Sequence, residues 1–474
     1  MGENPLKMSC HSERSEESSI IDKDLNGKRL PKQNRFFTAF RMTEISSYLN
    51  PLFKGAVGFF LVLFISTLNL FSSEILTLEK AIDISLKNNY SVTIARNQQI
   101  IADRNLNYGR AGFLPILDAY AAQTWNSDNL PPNSFPFNYF SAGINFNWTI
   151  FDGFKMFRNY DKLTELKDIS DLDLRYRIEN TALSVYDTYY SIIKEIFFEN
   201  LYKETVELSQ TRYNIYKDMY DVGKVSKLEL IQSQVYLNED KSKLYNQTTL
   251  VKNLKIVLNQ ILTRDINSDF EVSDTITYKN NLELKNLSDL VSKNNTELLI
   301  SQKNKIISDL DINISKSNFM PKLGVFASFG YASTNNNYMI PSINKNLVYY
   351  GISLSYNIFN GFNNSNDLEN SKVQSLNSEL TYNDIKKKLE SDLLRSYNEY
   401  KNNLELVNFE QQNVSISKEN LDISNERLRL GTISYLELRE AQLSFVSSKS
   451  RYINSIYNTK ISEIELLKLS GQIF

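Results

Sequence analysis

The chain has 474 residues, with 53 Lys and Arg against 55 Asp and Glu, a formal charge of −2, one His and one Cys. An electrostatic nucleic-acid binder needs a clear basic excess, which is absent here; lone Cys10 and His11 exclude a disulfide framework, multi-cysteine zinc or iron–sulfur sites and paired-histidine ligation. Everything after residue 11 lacks both residue types, so Ser-His-Asp, Cys-His and most metallohydrolase chemistry is removed, and neither an ordinary enzyme nor a bound cofactor is expected.

Residues 1–41 are polar and mixed in charge, with no hydrophobic period. Lys54, the apolar run from Gly55 to Leu70 and then Phe71-Ser72-Ser73-Glu74 read as a secretory signal peptide over 42–73. The alternative, a membrane anchor, would need about 20 apolar residues. Met42 is a candidate start, residues 1–41 are then dispensable, and the exported protein is expected to begin near Glu74. No cysteine follows the apolar run to carry a lipid.

Glycine and proline then fall in two dense patches, 109–153 and 321–361, with Gly223 and Gly431 standing alone in otherwise breaker-free stretches. The breaker-free stretches are helical by period. Ile178, Ala182, Val185, Tyr189, Ile192 and Ile196 recur every three or four residues, as do Leu389, Leu393, Tyr397, Tyr400, Leu404 and Val407. Such spacing is the seam of coiled-coil-like helices, and a continuous helix from Phe154 to Gly223 would be roughly 100 Å long at 1.5 Å per residue. The patches read as strands. Ile144, Phe146, Trp148 and Ile150 alternate with Gly143, Asn145, Asn147 and Thr149; Ile352, Leu354, Tyr356 and Ile358 alternate with Gly351, Ser353, Ser355 and Asn357. Partner strands are expected over Leu117–Trp125 and Leu323–Tyr331, joined by loops holding Pro131-Pro132 and Asn335-Asn336-Asn337. One apolar and one small or amide face, over ten-residue strands, suit a transmembrane barrel; a soluble sandwich is the alternative.

The two halves are copies. Lys87-Asn88-Asn89 and Phe113-Leu114-Pro115 recur 206 residues later as Lys293-Asn294-Asn295 and Phe319-Met320-Pro321. Phe151-Asp152-Gly153-Phe154 and Gly223 recur 208 residues later as Phe359-Asn360-Gly361-Phe362 and Gly431. The expected organisation is a first helix–strand–strand–helix repeat over 74–262, a connector over 263–285 and a second repeat over 286–474. Two repeats supply four strands, too few for a barrel, whose minimum is about eight. Open edges in lipid cost several kcal/mol per unpaired backbone group, so chains must associate, two giving eight strands or three giving twelve.

At this point the chain resembles the TolC family of outer-membrane efflux channels. The residues that carry the likeness are Leu76-Thr77-Leu78-Glu79-Lys80-Ala81 with Lys87-Asn88-Asn89, the Gly-Phe-Leu-Pro entry to the first strand and the Phe-Asp-Gly and Phe-Asn-Gly exits. The tips Val222-Gly223-Lys224-Val225-Ser226 and Leu430-Gly431-Thr432-Ile433-Ser434 complete the set. The resemblance implies a mainly α fold, a long coiled-coil-like helical barrel in the periplasm joined to a transmembrane β-barrel, twelve-stranded in a homotrimer held in outer-membrane lipid. It implies a passive exit duct of a tripartite efflux pump or a type I secretion system. Its partners would be a periplasmic adaptor (membrane fusion protein) and an inner-membrane pump or ABC transporter.

The isolated glycines read as tight helix turns where φ > 0 is needed. The resemblance makes the tips (Val222, Gly223 and Ser226; Leu430, Gly431 and Ser434) the surface that meets the adaptor. It likewise places Glu229, Glu437 and Glu440 at the pore constriction, with Glu for Asp, although charges on helix faces are commonly only solvated. Glu437 and Glu440 are i,i+3 and share a face; Arg439 faces elsewhere. Crowded in a ring, some of these carboxyls would titrate upward. Ile433 stands where that channel has an arginine. Phe154, Phe157 and Phe362, after the strand exits, suit either an interfacial belt or a core. The competing reading from another class is a periplasmic coiled-coil adaptor or scaffold without a pore.

Overall fold

In the computed structural model, residues 74–126, 137–273, 275–336 and 343–473 are described. The polar leader over 1–41, the signal peptide over 42–73 and Pro131-Pro132 lie outside the described residues.

The two halves run through the same elements in the same order. The first has β1 (Glu74–Leu76), α1 (Leu78–Asn88), α2 (Tyr90–Asn105), the single turn α3 (Tyr108–Ala111), β2 (Ile116–Asn126), β3 (Phe137–Phe151), α4 (Lys155–Asp221) and α5 (Lys227–Ile261). The second has β4 (Phe270–Val272), α6 (Leu284–Asn294), α7 (Thr296–Ser317), β5 (Lys322–Asn336), β6 (Ile343–Ser355), α8 (Asn363–Arg429) and α9 (Tyr435–Leu469). The repeated Asn-Asn has a structural reason. Asn89 and Asn295 each end one helix and cap the next, Oδ1 accepting from the Ser91 and Leu298 amides. Their Nδ2 atoms donate to the carbonyls of Ile261 and Leu469, at the ends of the returning helices.

α4 and α8 each run 67 residues, roughly 100 Å at 1.5 Å per residue. Their seams are the expected ones: Ala182, Val185, Tyr189 and Ile192, and Leu389, Leu393, Tyr400 and Val407, are all buried. α4 packs on α5, α2, α7 and α9, and α8 on α7 and α9. The connector holds more structure than its polarity suggests. β4 pairs in parallel with β1 and sets Phe270 and Val272 into a core with Leu76, Val185, Tyr189, Ile193 and Leu258.

β2, β3, β5 and β6 form one four-stranded antiparallel sheet in that order. Hairpin register repeats with the sequence: Leu117 pairs with Phe146 and Leu323 with Leu354. One face carries Leu117, Ile144, Phe146, Val325, Ile352 and Leu354, large residues such as Ile352 and Leu354 being exposed. The other carries Asp118, Asn145, Asn147, Ser328 and Ser353, with Ser328 Oγ donating to Asn145 Oδ1 at 2.7 Å. Two expectations about the strands are corrected. Asn335 and Asn336 end β5 rather than forming a loop, because β3 still pairs with them. Tyr356 and Ile358 fall outside β6, which stops at Ser355 where its pairing with Lys322 ends. Among the described residues no helix is long and apolar enough to cross a membrane.

The Phe-x-Gly-Phe corners turn strand into helix. Gly153 and Phe154 have φ of 75° and 68°, Gly361 and Phe362 71° and 64°. Two successive left-handed residues reverse the chain, a conformation unfavourable for any residue with a Cβ. Edge-on contacts offset the cost, Phe151 on Phe154 at 5.2 Å and Phe359 on Phe362 at 5.3 Å. Asp152 and Asn360 cap the helix starts, accepting from the amides of Met156 and Asn364. Phe157 instead packs edge-on against Phe113 at 5.0 Å.

Candidate functional site

Both helical hairpins turn at one end of the rod, where Val225 and Ile433 pack on a shared core of Leu201, Tyr216, Leu421, Leu428, Tyr435 and Phe445. Ile433 is thus an apolar packing residue. The turns are Schellman motifs. The Gly223 amide donates to Tyr220 O and the Lys224 amide to Met219 O, with Gly431 to Leu428 O and Thr432 to Arg427 O in the second copy. Gly223 and Gly431 have φ of 72° and 70°, and nothing lies within 4 Å of where a Cβ would be. Val222, Leu430, Ser226 and Ser434 are exposed.

Glu229 and Glu437 are helix-start residues. The Glu229 carboxylate accepts from the Ser226 amide at 2.7 Å and from its hydroxyl at 2.9 Å, while the Glu229 amide donates to Ser226 Oγ at 3.3 Å. Glu437 accepts from the Ser434 amide at 2.9 Å and its own amide donates to Ser434 Oγ at 3.3 Å. Both are capping boxes, which satisfy orphan donors of the first turn. Those bonds, the Ser434 amide foremost, hold the Glu437 carboxyl below its ordinary range, with Arg427 adding to the effect. Within one chain, then, the Glu437 carboxyl is lowered because hydrogen bonding to its charged form outweighs the opposing effect of desolvation. Its capping contribution is fully present above the ordinary glutamate range and is lost as pH falls through the lowered value. Glu440 lies three residues on, exposed like Glu437, whereas Glu229 is half-buried.

The strongest electrostatic feature of this end is one that the sequence reading passed over. Asp240 on α5, Arg439 on α9 and Arg212 on α4 are 2%, 6% and 4% exposed. Arg439 Nη1 donates to Asp240 Oδ2 at 3.2 Å and its Nη2 lies 3.6 Å from Glu239 Oε2. The Ser209 hydroxyl donates to the same Asp240 oxygen and accepts from Arg212 Nη2 at 2.9 Å and Gln442 Nε2 at 3.3 Å. The Arg439 guanidinium sits 4.6 Å over the Tyr236 ring, and Arg212 5.6 Å from the Tyr435 ring. Burial lowers the Arg212 pKa, and the positive charge of Arg439 adds to this. Tyr216 is pushed up to about 12 by burial first and the charge of Glu229 second, so its phenol stays neutral.

Three helices from both hairpins are therefore joined through one buried carboxylate. The signal for it was in the seams: Leu201, Thr205, Ser209, Arg212 and Tyr216 keep the three-four spacing of buried residues, as do Leu438, Gln442 and Phe445 beside Arg439. The equivalent positions of the other repeat carry no charge. Ser417 and Ser448 stand 208 residues after Ser209 and Asp240 and hydrogen-bond to each other, and Ile231 stands where Arg439 is. Among the described residues, no group of His, Cys, Asp and Glu side chains is arranged to hold a metal ion.

Two segments, residues 81–263 and 287–472, match the family described as outer membrane efflux protein, one match per repeat. The fold is similar to that of the CmeC outer membrane channel of Campylobacter jejuni: 18% identity, TM-score 0.70, 84% of this chain and 86% of that one covered. It is similar to the outer membrane protein VceC of Vibrio cholerae at 15% identity and TM-score 0.71, over 83% and 96%. CusC, a protein described with transmembrane channel formation, matches at 15% identity and TM-score 0.72, over 83% and 92%. At such identities the likeness is one of fold. No curated protein is similar in sequence at a significant level. With both repeats matched over most of their length, and with the mainly helical rod and strand arrangement that the family's channels share, the chain belongs to the outer membrane efflux protein family.

Proposed function

We propose that the protein is the outer-membrane exit duct of a tripartite efflux pump or a type I secretion system. Three copies close a twelve-stranded barrel in the lipid, and the long helices form a tunnel through the periplasm that ends at the hairpin tips. The duct is passive. A periplasmic adaptor docks at the tips and opens them, and an inner-membrane pump or ABC transporter supplies the energy. The observation that carries this reading is the four-stranded sheet, apolar on one face and uncovered there, whose strands continue into helices of 67 residues. A periplasmic adaptor or scaffold without a pore would have to cover that face, and among the described residues no helix packs on it. The detergent-solubilised protein is expected to have the mass of three chains and to conduct ions in planar bilayers; a stable water-soluble monomer would overturn the reading.

The tips are the docking surface in this proposal. Gly223→Val or Gly431→Val meets no neighbouring atom, so its effect is confined to forcing a β-branched residue into a left-handed turn, about 1–3 kcal/mol of local strain. Export of a pump substrate is expected to fail while the barrel assembles normally. Full transport by both variants would remove the assignment of Val222, Gly223, Ser226, Leu430, Gly431 and Ser434.

Glu229, Glu437 and Glu440 form the entrance constriction in this proposal. A ring of carboxylates focuses negative potential and favours cations. Glu437→Gln with Glu440→Gln removes the charge yet keeps the cap, since Gln serves at the same capping position. Assembly is expected to survive, while cation selectivity and block by trivalent cations both fall. Unchanged selectivity and unchanged block would reduce these residues to a cap and a solvated face.

A further inference from the structure

The buried cluster at the tip end carries more positive charge than its carboxylates match. Arg212, Arg439 and Lys243 stand against Asp240 and Glu239, three cations to two anions. Glu239 is mostly committed to Lys243, whose Nζ donates to it at 2.5 Å, while Arg439 Nη2 lies 3.6 Å away. The bond from Lys243 is also the first cause holding the Glu239 carboxyl below its ordinary range. Asp240 is already used at both oxygens: Oδ2 accepts from Arg439 Nη1 and Ser209, and Oδ1 from Arg439 Nη2 at 3.5 Å. Yet Arg439 Nε, Arg212 Nε and the Tyr435 hydroxyl, all in residues more than nine-tenths buried, have no hydrogen-bond partner among the described residues. A buried donor left unpaired forfeits the hydrogen bonds it made to water, and a charged one forfeits most.

Beside these groups lies a cavity of about 90 Å³. Its lining runs from buried Thr205, Asp240, Arg439 and Gln442 to exposed Lys243 and Leu443, so ions from solvent can reach it. Helices α4, α5 and α9 all contribute. We propose that this cavity binds one small monovalent anion of the halide class, held by Arg439, Lys243 and the Gln442 amide, whose Nε2 spends one N–H on Ser209. Charge and size select that class. The surplus is a single charge, and a divalent anion would overshoot it in contact with Asp240. A site of this volume admits a halide with part of its hydration shell, since a single water needs about 10–15 Å³ measured the same way. The donors are also in excess, because Arg offers five N–H groups and Lys three, with no acceptor among them. Water alone would satisfy Arg439 Nε but leave the surplus charge unmatched where solvent screens it least. The site exists only when α4, α5 and α9 are packed, so the ion stabilises the folded tip end as its concentration exceeds its dissociation constant.

Crystals soaked in bromide and melting curves of the detergent-solubilised protein test this site. An anomalous bromide peak is expected within hydrogen-bond reach of Arg439 Nε. The helical rod should melt at a higher temperature in chloride than in gluconate at equal ionic strength. Gln442→Glu places a carboxylate in the cavity wall and supplies the missing charge, so the bromide peak and the advantage of chloride should both disappear. Lys243→Gln, a change at an exposed side chain, should shift the chloride dependence to higher concentration, and it decides the matter where Gln442→Glu fails to assemble. Both salts also act non-specifically, so the quantity read is the difference between wild type and variant. Water density without an anomalous peak would overturn the anion site. So would a chloride effect of equal size in wild type and variants, or bromide bound at crystal concentration with no chloride effect in solution.

Discussion

Asp240→Ala is expected to weaken the tip end of the helical rod by about 3–5 kcal/mol, the cost of removing one partner of a buried ion pair and leaving the other uncompensated. Asp240 is the carboxylate to which Arg439 donates and on which Ser209, and through it Arg212, is aligned. Its loss leaves two guanidinium groups at a buried site, with the more exposed Glu239 as the remaining carboxylate paired with Arg439 among the described residues. The measurement is thermal melting together with hydrogen exchange of the α5 and α9 amides on either side of the pair. A matched replacement, Asp240→Leu with Arg439→Met, should recover part of the loss, since exchanging a whole buried pair for apolar residues is often neutral or stabilising. The double-mutant cycle would then show strong coupling. An Asp240→Ala protein that melts and exchanges as the wild type does would mean that the cluster carries no net stability.

Gly153→Val is expected to be the most damaging change at the junction of barrel and rod. Its φ of 75° is left-handed, and a Cβ would approach a backbone carbonyl, Ser317 O, at 2.7 Å. A carbonyl in a helix end cannot move aside as a side chain can. The conformational cost, about 1–2 kcal/mol, and overpacking, typically 1–3 kcal/mol, together give about 2–5 kcal/mol. Reduced yield of assembled protein in the outer membrane and a lower melting temperature are the readouts. Gly153→Val at wild-type yield and stability would show that the corner can relax around the added volume.

Much of the architecture follows from local rules that operate along the chain. Long helices follow wherever breakers are absent and an apolar residue recurs every three or four positions, which is why α4 and α8 fall within two residues of the glycines that end them. Strands follow from strict alternation, and the duplication from two nearly constant offsets. The tips were legible for the same reason: a lone glycine in a breaker-free helix has one common use, a left-handed turn. The corners were legible only as a repeated motif. That Phe154 and Phe362 would themselves adopt positive φ is set by ring packing and by the Asp152 and Asn360 caps, not by any preference of phenylalanine.

By itself the sequence determined the helical rod, the paired strands and the repeat, because periodicity, breakers and backbone hydrogen bonding act over a few residues and leave a regular trace. Only the tertiary structure decided what the charged residues do. Glu229 and Glu437 turn back on their own helix starts, a geometry that depends on where each helix begins. Arg212, Asp240 and Arg439, up to 227 residues apart in the chain, are driven into one buried cluster. The seam spacing marks such positions as buried but not which charges meet there, because the Coulombic gain that offsets desolvation exists only once three separate helices are packed. The end of β6 at Ser355 has the same origin: its remaining residues alternate as a strand should, but a strand forms only where a partner supplies the hydrogen bonds.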